Sequence, residues 1–175
     1  MMFNKIVVDK NGKDILEELK IEFKKYEENY YVASALETLG ALVYYTIKAG
    51  AKIFNLINVE DLLLHNNVVC GVVINWTAVN LAGLHIDPLV MRSKYVVDAT
   101  GHFCELARIL EKKMGKVLFT LTGGVIGEKM MDAEAGERFA IENTKEIYHN
   151  LFVCGMAANS AFGGPRMGPI FSSML

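Results

Sequence analysis

The chain opens on residues 3–9, whose alternation of apolar and polar positions reads as a strand, and 14–20 reads as a short helix. Ile21, Phe23 and Tyr26 precede a polar Glu27-Glu28-Asn29 turn, so 20–31 reads as a hairpin. Ser34 followed by Glu37 forms a capping box, and Leu36, Leu39, Val43 and Ile47 then recur at helical spacing up to Gly50. Three strands are predicted at 52–55, 59–64 and 68–74, with Asn66-Asn67 as a turn, and a loop at 75–88. A β-branched strand at 94–98 runs through Ala99-Thr100-Gly101 into a helix. Its face carries Leu106, Ile109, Leu110 and Met114, and Gly115 stops it. The pattern then loses regularity until 151–154, a short strand ending in Gly155 and a glycine-rich loop. Residues 169–175 read as the first turns of a helix.

Strands and helices in this order predict an α/β chain. Its 175 residues are 52% apolar and 22% charged, enough for one substantial core. Eighteen Lys and Arg against twenty Asp and Glu give no electrostatic reason to expect nucleic acid or an anionic membrane as partner. Cys70, Cys104 and Cys154 are odd in number and widely spaced, which suits a reducing cytoplasm better than a disulfide framework. No run approaches the roughly 20 apolar residues of a membrane helix, so a cytoplasmic protein is expected.

Two strand-to-loop turns, DATG (98–101) and CGMAAN (154–159), are of the kind that lets backbone N–H groups approach a dinucleotide, or are ordinary turns of an α/β domain. The fingerprint GxGxxG is absent. His85, Asp87 and His102 are the one plausible metal cluster, since imidazole with carboxylate suits Fe(II), Mn(II) or Zn(II). His102 is read at the start of the helix after DATG, where the positive dipole end keeps the ring neutral. The competing reading makes His102 a helix cap and Asp87 a turn residue. Arg166, between glycines and a proline in GGPRMGP, is either a fork for a carboxylate or phosphate or a surface turn residue. Trp76 and Cys104 are expected to be packed inside, and Glu137 with Arg138 to be a solvated charge pair.

Taken together, MFNKIVVDK, GVVINWTAVNLAGLHIDP, VVDATGH and LFVCGMAANSAFGGPRMGPIF resemble the thiazole synthase family of the thiamine pathway, in order and in much of their spacing. The resemblance covers nearly the whole chain and implies part of a Rossmann-like dinucleotide-binding fold, akin to flavoprotein reductases, with an inserted β-rich substrate region. Residues 1–93 would be mostly that insertion, and 94–175 the remainder of the dinucleotide fold, in a single incomplete domain. The family's glycine-rich front and its C-terminal end are expected to be missing, leaving a fragment inactive alone.

The implied activity is synthesis of an adenosine diphosphate thiazole, a pentosyl transfer from NAD with glycine and sulfur. His85 stands where the eukaryotic branch has a sulfur-donating cysteine, so the resemblance is to the archaeal branch that uses free sulfide with Fe(II), and His85 is assigned to the catalytic set. Carried over position by position, Asp87 and His102 match the iron ligands, shared across protomers of a homo-oligomer. Val59, His85, Ile86, Asp87 and Met156 match NAD contacts, and Arg166 matches the residue holding the glycine carboxylate. Family members continue GH with an acidic residue, whereas Phe103 and Cys104 follow His102 here, so a hydrogen bond orienting the imidazole is expected to be lost. Two other readings are a flavin-dependent oxidoreductase with two dinucleotide domains, and a catalytically dead remnant.

Overall fold

A computed structural model describes residues 4–168. The predicted helix at 169–175 lies outside them. Strand β1 (Lys5–Val8) pairs antiparallel with β3 (Tyr30–Ser34), whose other edge carries β2 (Phe23–Glu27), so the hairpin stands. Helix α1 (Lys10–Glu18) begins earlier than its periodicity shows, because the Asp9 side chain accepts from the Gly12 N–H at 3.0 Å and caps it. A first core gathers Ile6, Val8, Leu16, Ile21 and Ala33 between this helix and sheet.

Helix α2 (Ala35–Lys48) starts where the capping box puts it, with Ser34 Oγ accepting from Glu37 N–H at 3.3 Å. Its apolar stripe, however, faces outward: Leu39 is 59% exposed and Ile47 57%. Thr38 and Ala41, from another side of the helix, make the inward contacts. Residues 52–55, predicted as a strand, have no regular structure.

Strands β4 (Ile57–His65) and β5 (Val68–Trp76) form a long antiparallel hairpin. Asn66 and Asn67 both sit at positive φ, 50° and 59°, the conformation of a two-residue hairpin turn whose twist matches its strands. The expected loop at 75–88 contains helix α3 (Thr77–Leu81), and β6 (Leu89–Arg92) then adds to the free side of β5. Trp76 is not a core residue; it is 46% exposed.

Strand β7 (Val96–Asp98) leads through a 3-10 turn at Gly101–Phe103 into α4 (Glu105–Met114). The irregular stretch that follows contains β8 (Lys129–Met131), α5 (Ala133–Asn143) and β9 (Lys145–Tyr148). Helix α5 escapes periodicity because small residues make its contacts: a Cβ on Gly136 would lie 3.2 Å from the Met167 Cα. Glu137 on this helix is buried, against the expected solvated pair, and Arg138 bonds Glu134 instead.

Strand β10 (Leu151–Val153) pairs parallel with β7 and antiparallel with β9, then turns into α6 (Met156–Phe162), after which β11 (Pro165–Arg166) joins β8. The main core packs Leu106, Ala107 and Leu110 of α4 and Ala157, Ala158 and Ala161 of α6 with Val96, Ile147, Leu151 and Val153, and Leu62 and Val69 join it from the β4–β5 hairpin. The mixed α/β architecture is as the sequence predicts.

Candidate functional site

Parallel strands β7 and β10 end level with each other, Asp98 opposite Val153, and the Cys154 N–H bonds the Asp98 carbonyl at 3.2 Å. Each strand passes at once into a tight turn and a helix, so DATG and CGMAAN emerge side by side. Ligands of open α/β sheets bind in the crevice outside such carboxyl ends. The two turns touch: a Cβ on Gly101 would lie 3.5 Å from the Met156 Cε.

Asp98 holds this arrangement together. Its fully buried carboxylate accepts from the Thr100 N–H (3.0 Å) and hydroxyl (2.6 Å) through one oxygen. The other accepts from the Leu106 (2.9 Å) and Ala107 (3.1 Å) N–H groups. Those two N–H groups belong to the first turn of α4, whose N-cap residue, Cys104, makes no side-chain cap. A residue six positions upstream thus caps the helix from the strand, and the turn that carries His102 is closed between the two.

His102 lies in the 3-10 turn and not at the start of α4, which corrects the dipole argument. The ring is held in place by a carboxylate instead. His102 Nδ1 lies 2.7 Å from Glu128 Oε1, with the Glu128 side chain 13% exposed. The hydrogen bond expected to be lost beside Phe103 and Cys104 is therefore present, from a residue 26 positions away.

The other candidates spread out from this turn. Val59 meets Phe103, Glu105, Arg108, Ile109 and Lys112 around an open groove of about 430 Å3, and the Arg108 Nε donates to the Phe103 carbonyl at 2.8 Å. Arg108 and Lys112 were not singled out from sequence. His85, Ile86 and Asp87 lie in an exposed loop between α3 and β6, tied by the Asn75 amide donating to the Ile86 carbonyl at 3.2 Å. Arg166 is exposed on β11, while its carbonyl accepts from Asp132 N–H at 3.2 Å. Among the described residues no three His, Cys, Asp or Glu side chains are grouped to hold a metal ion, so His85, Asp87 and His102 do not form a cluster within one chain.

Residues 1–171 match the family model of the Thi4 family. The chain belongs to that family. It is 49% identical over 175 residues to the thiamine thiazole synthase of Methanothermobacter thermautotrophicus, spanning 100% of this chain and 68% of that one. The thiamine thiazole synthase of Pyrococcus abyssi is 48% identical over 174 residues, 99% of this chain and 67% of its own. The crystal structure of Thermovibrio ammonificans THI4 superposes with a TM-score of 0.94 at 44% identity, over 99% of this chain and 68% of that one. Membership places the chain among enzymes of thiazole synthesis for thiamine.

In this family member, Cys104 is buried as expected, and burial, reinforced by the charge of Asp98, pushes its thiol far up. The Cys154 thiol is raised from its ordinary 9.0 for the same two reasons in the same order. A raised thiol holds less thiolate at a given pH. The alkylation rate of Cys154 with iodoacetamide is therefore expected to reach half its plateau above pH 9.0, where an unperturbed thiol is half ionised; a midpoint at or below 9.0, read by peptide mass spectrometry, would contradict the assignment. Among the described residues no helix is long and apolar enough to cross a membrane.

Proposed function

We propose that this chain serves sulfide-dependent synthesis of adenosine diphosphate thiazole from NAD, glycine and sulfide with Fe(II). The observation that carries the reading is the pair of touching strand-end turns, one bearing Met156 and the other a His102 whose Nδ1 is already occupied by a carboxylate. A ring tethered at Nδ1 has Nε2 left as its donor atom. Asp87 adds a carboxylate with no hydrogen bond or ion pair among the described residues, and imidazole with carboxylate is a donor set that Fe(II) accepts. These residues fit the metal.

His102 and Asp87 would hold the Fe(II), which when bound supplies a Lewis-acidic centre able to take up sulfide. Asp87 and His102 would come from different copies, so we read the enzyme as a homo-oligomer whose copies share the metal. Val59, His85, Ile86, Asp87 and Met156 line the path of NAD, with residues 1–93 as mostly the inserted substrate region. His85 takes the place of a sulfur-donating cysteine, so the sulfur arrives as free sulfide. The exposed guanidinium of Arg166 presents a planar fork to the glycine carboxylate.

Anaerobic incubation of the full-length enzyme with NAD, glycine, sulfide and Fe(II) is expected to yield an adenylated thiazole by mass spectrometry, and its absence sinks the reading. Replacing Arg166→Ala removes the fork and is expected to raise the glycine concentration needed for half-maximal rate by about tenfold or more, as one charge-assisted pair is worth. An unchanged glycine dependence would remove Arg166 from the site.

A further inference from the structure

The segment before β8 is fastened to α6 and to the residues that follow it. Ile126 N–H donates to the Ala161 carbonyl (3.2 Å), Gly127 N–H to Ser160 (2.8 Å) and Lys129 N–H to Gly164 (2.9 Å). Gly163 leaves the room this needs, since a Cβ there would sit 2.7 Å from Ile126 Cγ2. Glu128 is thus held from both sides, with its side chain largely buried. On the facing side, the His102 turn packs on the same helix α6 and closes through the Cys104 N–H on the Gly101 carbonyl at 3.0 Å. The two partners of the 2.7 Å contact are therefore both mounted on α6.

We infer that Glu128 is a positioning residue for the metal ligand: by accepting from His102 Nδ1 it fixes the ring in the Nδ1–H tautomer and leaves Nε2 as the ring's single donor atom. A carboxylate oxygen only accepts, so a neutral imidazole bonded to it through Nδ1 must carry its proton there. The free side chain favours the opposite tautomer, and rotation about χ2 is otherwise loose. Glu128 removes both freedoms before any metal arrives. The inference rests on the reading of His102 as an iron ligand, yet the tautomer itself is a property of the metal-free chain.

Two measurements on the same variants separate the ideas. In the metal-free protein, nitrogen-15 NMR of the imidazoles at mildly alkaline pH is expected to show His102 as the Nδ1–H form, with the Nε2–H form appearing in Glu128→Ala. Glu128→Gln keeps an accepting oxygen of the same reach and is expected to retain the native tautomer. Anaerobic Fe(II) titration is expected to show affinity about 10–100-fold weaker in Glu128→Ala, the usual range for a ligand's hydrogen-bonding partner, with Gln recovering part of the loss. The proposal is overturned by an Nε2–H or doubly protonated ring in the parent protein, by an unchanged tautomer in Glu128→Ala, or by equal iron loss in Ala and Gln. Failure of the parent protein to bind Fe(II) would sink the iron reading alone, and the NMR result would still decide whether Glu128 sets the tautomer. Circular dichroism and a urea midpoint for Glu128→Gln establish that the fold is kept.

Discussion

Asp98→Ala is expected to lower stability by about 3–5 kcal/mol, the cost of leaving several buried N–H donors without their acceptor. The carboxylate is fully buried and accepts four hydrogen bonds. Alanine leaves the Leu106 and Ala107 N–H groups at the head of α4 without an acceptor, because Cys104 makes no side-chain cap there. Against a total stability of about 5–15 kcal/mol, most of the margin goes. Asp98→Asn keeps one accepting oxygen and is expected to fall between the two. Urea midpoints measure the series, and a loss below about 1 kcal/mol for Asp98→Ala would show that the carboxylate does not clamp the turn. Fe(II) affinity should fall in step, since the same turn carries His102.

Gly71→Ala is expected to detach β6 from its sheet. Gly71 stands opposite Arg92 in the β5–β6 ladder, and a Cβ there would lie 2.1 Å from the Met91 carbonyl oxygen. Both are backbone positions, so no side-chain rotation relieves the overlap. Its φ of +155° adds strain of about 1–3 kcal/mol for any other residue. Strand β6 begins one residue after Pro88 and two after Asp87, so its release frees the loop that brings His85, Ile86 and Asp87. Faster amide exchange across Leu89–Arg92, with the β4–β5 pairing kept, is the expected signature. Unchanged protection at those amides would refute the argument.

Much of the frame was legible because it rests on local chemistry. The capping box set the start of α2, Asn66-Asn67 set the hairpin turn, and the β-branched run into DATG marked β7 and the turn after it. Where reading failed, a contact from elsewhere in the chain overrode the local pattern. Helix α1 starts at Lys10 because Asp9 caps it, although the apolar spacing begins later. Helix α5 left no stripe to read, since Gly136 and Ala140 pack by being small. The stripe of α2 was visible but says nothing of which face turns inward.

The candidate site divides the same way. The residue types that suit iron, dinucleotide and carboxylate chemistry, and the order that aligns them with the Thi4 family, are properties of the sequence by itself. Only the tertiary structure decided that DATG and CGMAAN lie side by side, because the parallel pairing of β7 with β10 joins segments more than fifty residues apart. It also decided that His102 finds its carboxylate in Glu128, which no spacing rule connects to it. Caps and turns are settled by neighbours within a few residues, whereas the tautomer of an imidazole is settled by whichever group the fold brings within hydrogen-bonding distance.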